Sequence, residues 1–230
     1  MIATPAAPAV KICGVTRVED ARRCVALGAD LIGLNFHPGS PRCVTEERAL
    51  ELRRAIGDAT PMVGVFVHQG VVEAEALARR VGLDLLQFHG ERPPDGLEAV
   101  AERAIAVLRP DDAEPGASPV PLASLWGVLL DAPIGRDAGG ERLLGGTGRA
   151  WRYHRAAELG AVGTRLLLAG GIGPGNATAA LAVDGVWGID VCSGVESSPG
   201  VKDSAKLELL FARVARRREQ SAHPGSLKGA

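Results

Sequence analysis

The chain has 230 residues, of which 46% are hydrophobic and 23% charged, with a formal net charge of -1 at pH 7. That balance excludes the strongly basic surface of a nucleic-acid binder and the low hydrophobicity of a disordered chain. The opening MIATPAAPAV lacks the charged start and long apolar run of a signal peptide, and no apolar stretch reaches the ~18 residues that span a bilayer, so a cytoplasmic globular protein without a membrane partner is expected.

Eight short apolar runs follow in order: AVKICGV (9–15), LIGLNF (31–36), MVGVFV (62–67), LDLLQF (83–88), AIAVL (104–108), WGVLLDA (126–132), RLLLAG (165–170) and GIDVCS (188–193). Most gaps between them carry a helical pattern. Thr16 and Glu19 have capping-box spacing before RVEDARRCVALGA, Thr45 precedes EERALELRRAIG, and VVEAEALARRVG and GLEAVAERA come next. The segment RPDDAEPGASPVPLASL has four prolines and little periodicity, which predicts a loop with at most a short helix.

Near-continuous apolar strands alternating with amphipathic helices indicate a parallel sheet covered by helices, because parallel strands need crossover connections. Eight units in 230 residues fit an α/β fold, a single (β/α)8 TIM barrel, better than an open doubly wound sheet. The expected organisation is an N-terminal extension over 1–8, the barrel over 9–219 and a flexible tail over 220–230. With 3% aromatic residues, the core must be filled by Val, Leu, Ile and Ala.

In such a barrel the site is built at the C-terminal ends of the strands. AGGIGPGN (169–176) and CSGVE (192–196) end the seventh and eighth runs, and their Gly and Ser content lets backbone N–H groups approach an anion, with a helix N-terminus adding positive dipole. Asp131 closes an otherwise apolar strand and suits a general acid. Cys13 and Lys11 share one face of the first strand by two-residue alternation, and an ammonium beside a thiol favours the reactive thiolate. Cysteine is also a common packing residue, which is the reading for Cys24 in its helical pattern. The four cysteines, Cys13, Cys24, Cys43 and Cys192, show no CxxC pair and no disulfide framework.

Arg42 follows the second strand, where its planar fork can hold a carboxylate. His37, His68 and His89 end the second, third and fourth runs and raise a metal-dependent hydrolase or lyase as an alternative, although no HxH or HxxxH pair supports it. A barrel that binds a phosphorylated ligand without turnover is a third reading.

Taken together, KICGVT, GLNFHPGSPRCV, VGVFV, LLQFHGE, VLLD, GGTGRAW, LLAGGIGPGN and IDVCSGVESSPGVKD occur in an order and spacing that resembles phosphoribosylanthranilate isomerase of tryptophan biosynthesis, from about residue 9 to residue 215. The resemblance implies a cytoplasmic barrel that performs an Amadori rearrangement of a small phosphorylated sugar-anthranilate, with no cofactor and no metal. It further implies Cys13 as general base, Asp131 as general acid, Arg42 on the anthranilate carboxylate, and the amides of Gly170, Gly171, Ser193 and Gly194 on the phosphate. Four features depart from the family pattern: Arg149 with the following AWRY, a longer loop from Asp131 to Gly145, Cys43 where an aromatic residue is common, and Arg109 where a lysine is often found. The sequence does not report oligomeric state.

Overall fold

The computed structural model describes residues 8–90, 93–108, 120–131, 156, 160 and 163–222. Arg109, the long loop after Asp131 and the GGTGRAWRY segment lie outside the described residues.

Every apolar run contributes a strand. The first half of the chain alternates β1 (Ala9–Ile12), α1 (Val18–Ala26), β2 (Leu31–Asn35), α2 (Glu46–Ile56), β3 (Met62–Phe66), α3 (Val71–Val81) and β4 (Leu85–Phe88). The second half holds β5 (Ala104–Leu108), β6 (Gly127–Asp131), β7 (Arg165–Ala169), α4 (Ala177–Ala180), β8 (Val186–Val191), the short β9 (Glu196–Ser198) and β10 (Val201–Lys202), and α5 (Ser204–Ala222). β1 to β8 pair in sequence order and β8 returns to β1, closing a parallel barrel. β9 and β10 form a separate antiparallel hairpin.

Strand alternation divides the apolar residues into two cores. Val10, Ile12, Ile32, Leu34, Met62, Phe66, Val128 and Leu130 point outward and pack with helix residues such as Ala21, Leu52, Ala74 and Leu210. Leu31, Val63, Leu85, Ile105, Leu129 and Leu167 fill the inside. At the N-terminal end the interior meets Trp126 and Trp187, edge to face at 5.5 Å, with the Arg165 guanidinium 4.9 Å from the Trp126 ring centre. Each fully buried aliphatic side chain contributes about 1.5–3 kcal/mol, so the two cores together hold the strands rigidly enough to aim side chains at the opposite, C-terminal mouth.

Two local expectations change. Thr16 does not cap α1: its hydroxyl donates to the Gly200 carbonyl at 2.6 Å, so Arg17 occupies the N-cap position without a side-chain bond. The hydroxyl is drawn toward the turn before β10, and the helix begins one residue later than the capping-box spacing predicts. GLEAVAERA forms a 3-10 segment, Leu97–Arg103, that starts from Gly96 at φ 78°. By contrast, Thr45 caps α2 as its spacing predicts, accepting from the Arg48 amide at 3.2 Å. The proline-rich stretch before β6 ends in one short 3-10 turn, Leu122–Ser124.

Candidate active site

The interior of β1 carries an unusual load for a strand core. Lys11 is wholly buried, and its Nζ donates to Asp190 Oδ1 of β8 at 2.8 Å. Burial alone would lower the lysine pKa, but Asp190 and the adjoining Cys13 outweigh it and raise the value, so the ammonium stays charged. Gly33 on β2 makes room for this pair: a Cβ there would lie 2.9 Å from Cys13 Sγ and 3.0 Å from Lys11 Nζ.

Cys13 stands one layer above Lys11 on the same face, 9% exposed. Its thiol is pulled down to about 7, first by a hydrogen bond from Cys192 and further by Lys11, against burial and Asp190. Cys192 moves the opposite way, raised by the same contact and by burial. Cys192 Sγ donates to Glu196 Oε1 at 3.8 Å, so it sits between the Cys13 corner and the ionic cluster beside it.

A second ionic cluster braces the outer edge of this corner. Glu196 accepts from Arg42 Nε at 2.9 Å and from Nη2 at 2.6 Å, and from Lys202 Nζ at 2.9 Å. Lys202 is buried and also donates to the Cys13 carbonyl at 2.6 Å and the Cys192 carbonyl at 3.4 Å, tying together the ends of β1 and β8. Burial raises the Glu196 pKa, but Arg42 and Lys202 overcome it and hold the carboxyl below its usual value. The Arg42 stem lies over Gly14, whose absent Cβ would sit 2.6 Å from Arg42 Cδ, and both thiols act on the guanidinium electrostatically.

Asp131 ends β6, three strands from β1 around the closed ring. Alternation with the inward Leu129 turns it into the mouth, where its Oδ2 lies 3.5 Å from His89 Nε2. His37 and His68 meet edge to face at 5.2 Å, while His89 lies with Asp131. Among the described residues no group of three or more His, Cys, Asp or Glu is placed to hold a metal ion.

The two glycine-rich loops are in contact. Gly194, in the 3-10 turn Ser193–Val195, approaches the β7 loop so closely that a Cβ would stand 2.0 Å from the Ile172 carbonyl oxygen. Gly170 and Gly171 have φ of 90° and 65°, which only glycine adopts without strain. Asn176 stiffens the same loop, accepting from the Gly173 amide at 2.8 Å.

The site residues read from the sequence thus fall into three groups: Cys13 with Arg42 at the β1–β2 corner, Asp131 with His89 on the far side, and Gly170, Gly171, Ser193 and Gly194 along the β7–β8 edge. Asp190, Cys192, Glu196 and Lys202 were not singled out beforehand. A signal existed for three of them. Asp190 and Lys11 are opposite charges set into the last and first apolar strands, which barrel closure makes neighbours. Glu196 and Lys202 flank a Ser-Ser-Pro-Gly turn, and the hairpin pairs them across it.

A closed parallel barrel with a titratable cluster and anion-ready loops at its C-terminal mouth defines a (β/α)8-barrel enzyme. The family model for N-(5'phosphoribosyl)anthranilate (PRA) isomerase matches residues 10–213, and the chain belongs to that family of isomerases. It is 39% identical to the N-(5'-phosphoribosyl)anthranilate isomerase of Pseudomonas aeruginosa (strain UCBPP-PA14), covering 92% of this chain and 98% of that protein. The crystal structure of phosphoribosyl anthranilate isomerase from Thermus thermophilus superposes with a TM-score of 0.75 at 39% identity, covering 91% of this chain and 100% of that one. A further phosphoribosyl anthranilate isomerase, in complex with reduced 1-(o-carboxyphenylamino)-1-deoxyribulose 5-phosphate, has a TM-score of 0.73 at 28% identity, covering 91% and 99%. No helix among the described residues is long and apolar enough to cross a membrane.

Proposed function

We propose that this chain converts N-(5-phosphoribosyl)anthranilate to 1-(2-carboxyphenylamino)-1-deoxyribulose 5-phosphate in tryptophan biosynthesis, with Asp131 as general acid and Cys13 as general base. The observation that carries the assignment is the placement of Cys13 above the buried Lys11–Asp190 pair at the mouth of a barrel of this family, a setting that draws its thiol down to about 7. A base with a pKa near the working pH combines a large deprotonated fraction with useful basicity.

The steps follow from these positions. Asp131 donates its proton to the furanose ring oxygen as the C1'–O bond breaks and the anthranilate nitrogen lone pair forms a C1'=N iminium. The iminium acidifies C2', and the Cys13 thiolate takes that proton, leaving an enolamine with C1'=C2'. Return of a proton to C1', with loss of the 2'-hydroxyl proton, yields the C2' ketone. No electron leaves the substrate, so proton transfer by two side chains suffices.

Binding is divided between the two ends of the substrate. The phosphate is assigned to the amides of Gly170, Gly171, Ser193 and Gly194, a reading supported by the direct contact of the two loops that carry them. Arg42 is assigned to the anthranilate carboxylate. Glu196 already engages its Nε and Nη2, which fixes the plane of the guanidinium and directs Nη1 as the remaining donor edge. The compartment that goes with this pathway role is the cytoplasm.

The decisive test is rescue of a tryptophan auxotroph that lacks only this isomerase. Growth without tryptophan is expected. Failure by well-folded protein would favour the ligand-binding barrel without turnover.

A further inference from the structure

Cys13 and Cys192 leave adjacent strands at the same height. The β1–β8 ladder pairs Ile12 with Val191, and the Cys13 amide donates to the Val191 carbonyl at 2.9 Å, so the two cysteines are the next pair along the ladder. Neighbouring strands lie ~4.8 Å apart, within the ~4.4–6.8 Å between Cα atoms that a disulfide accepts. By alternation with the inward Lys11 and Asp190, both side chains turn into the mouth; Cys192 Sγ stands 3.0 Å from where a Cβ on Gly14, the residue after Cys13, would lie, it donates to Glu196 Oε1 at 3.8 Å, and both cysteines are free. The isomerisation uses one sulfur and leaves the other chemically idle.

We propose that Cys13 and Cys192 form an oxidative modification site, which a small hydroperoxide converts reversibly to a disulfide that withdraws the Cys13 sulfur from proton transfer. The consequence for turnover rests on Cys13 being the general base. Formation of the disulfide does not.

The environments of the two sulfurs divide the labour. Cys13 is held at about 7 and presents a thiolate at neutral pH, whereas Cys192 is pushed upward and keeps its proton. The Cys13 thiolate attacks one peroxide oxygen, the O–O bond breaks, sulfur is oxidised to the sulfenic acid, and the peroxide is reduced to an alcohol or water. Cys192 sulfur then attacks Cys13 sulfur and expels hydroxide, which takes up the Cys192 proton as water. Two thiols and one hydroperoxide give one disulfide, one alcohol or water, and one water. Cys24 cannot compete, because burial inside α1 pushes its thiol up to about 12.

The exposed Cys43 is replaced first, as Cys43→Ser, so that bridges between molecules do not obscure the result. This protein is treated with hydrogen peroxide at pH 7, and thiols are then counted under denaturing conditions and peptides mapped by mass spectrometry. The expected result is a fall of two thiols and a linked peptide pair containing Cys13 and Cys192, reversed by dithiothreitol. In the same samples turnover falls at least ~10²-fold, the lower end for loss of a general base, and returns on reduction. With Cys192→Ser added, no linked pair forms and Cys13 proceeds to the sulfinic acid, which dithiothreitol does not restore. An unlinked Cys13 in the Cys43→Ser protein, or a bridge involving Cys24, would overturn the proposal. A Cys13–Cys192 disulfide with turnover intact would uphold the modification site and overturn the role of Cys13 as base.

Discussion

Lys11 Nζ and Asp190 Oδ1 meet at 2.8 Å inside the barrel, Lys11 with no solvent exposure and Asp190 with 9%. This pair carries the corner of the site: it supplies positive charge beneath the thiol and joins the first strand to the last. Removing one partner of a buried pair strands the other charge, which costs about 3–5 kcal/mol, whereas replacing both by apolar groups is often neutral. Lys11→Met should therefore lower stability to urea by that amount, and Lys11→Met with Asp190→Leu should recover most of it. Equal stabilities for the single and double variants would contradict the pairing.

Cys13→Ala and Asp131→Asn each remove one of the two proposed proton-transfer groups. Turnover should fall by about 10² to 10⁴ in either variant with the far-UV circular dichroism spectrum unchanged. Near-normal rates in one of them would take that residue out of the mechanism.

The Cys13 thiolate population should rise with pH through about 7, well below the 9.0 of an ordinary thiol. Because the base must be deprotonated, kcat/KM should fall on the acid side with the same midpoint. The rate of Cys13 alkylation by iodoacetamide, followed by peptide mass, provides an independent titration. The first cause of the shift is the bond from Cys192, so Cys192→Ala should move the midpoint upward. An unshifted midpoint would refute that origin.

Glu196 is buried between Arg42 and Lys202, and its carboxyl lies below the ordinary 4.5. A depressed folded-state value means that its contribution to stability is present above pH 4.5 and is lost as pH falls through the folded value. Glu196→Gln should reduce stability at pH 7 by about 3–5 kcal/mol, since Lys202 keeps its charge without a carboxylate. It should also flatten the acid-unfolding curve below pH 4.5 in guanidinium titrations. A variant with the same pH slope as the parent would assign acid sensitivity elsewhere.

The barrel could be read from the sequence because each strand is buried on both faces and so appears as a continuous apolar run. That same continuity made Lys11 and Asp131 visible as charges in apolar surroundings, and placed Cys13 on the Lys11 face. What could not be read were bonds set by closure and by loop geometry. The hydroxyl of Thr16 goes to Gly200, 184 residues away, and no local pattern announces that a distant carbonyl will outbid the helix N-terminus. Arg42 was recognised as a carboxylate fork, but its first partner is Glu196 on the β9–β10 hairpin, a contact that exists only once both loops are in place. Cys192 was invisible for the plainest reason: alone it is a small strand-end residue, and its meaning comes from the sulfur on the adjacent strand.

Closure of β8 onto β1 joins residues 179 positions apart, so the acidity of Cys13 depends on a strand far from it in sequence. With the two strands apart, Cys13 would be an ordinary, largely protonated thiol with no cation locked below it. The ammonium that favours the Cys13 thiolate is therefore held in place only by ring closure, and opening the β1–β8 seam would remove the acidity of the thiol before the rest of the barrel is lost.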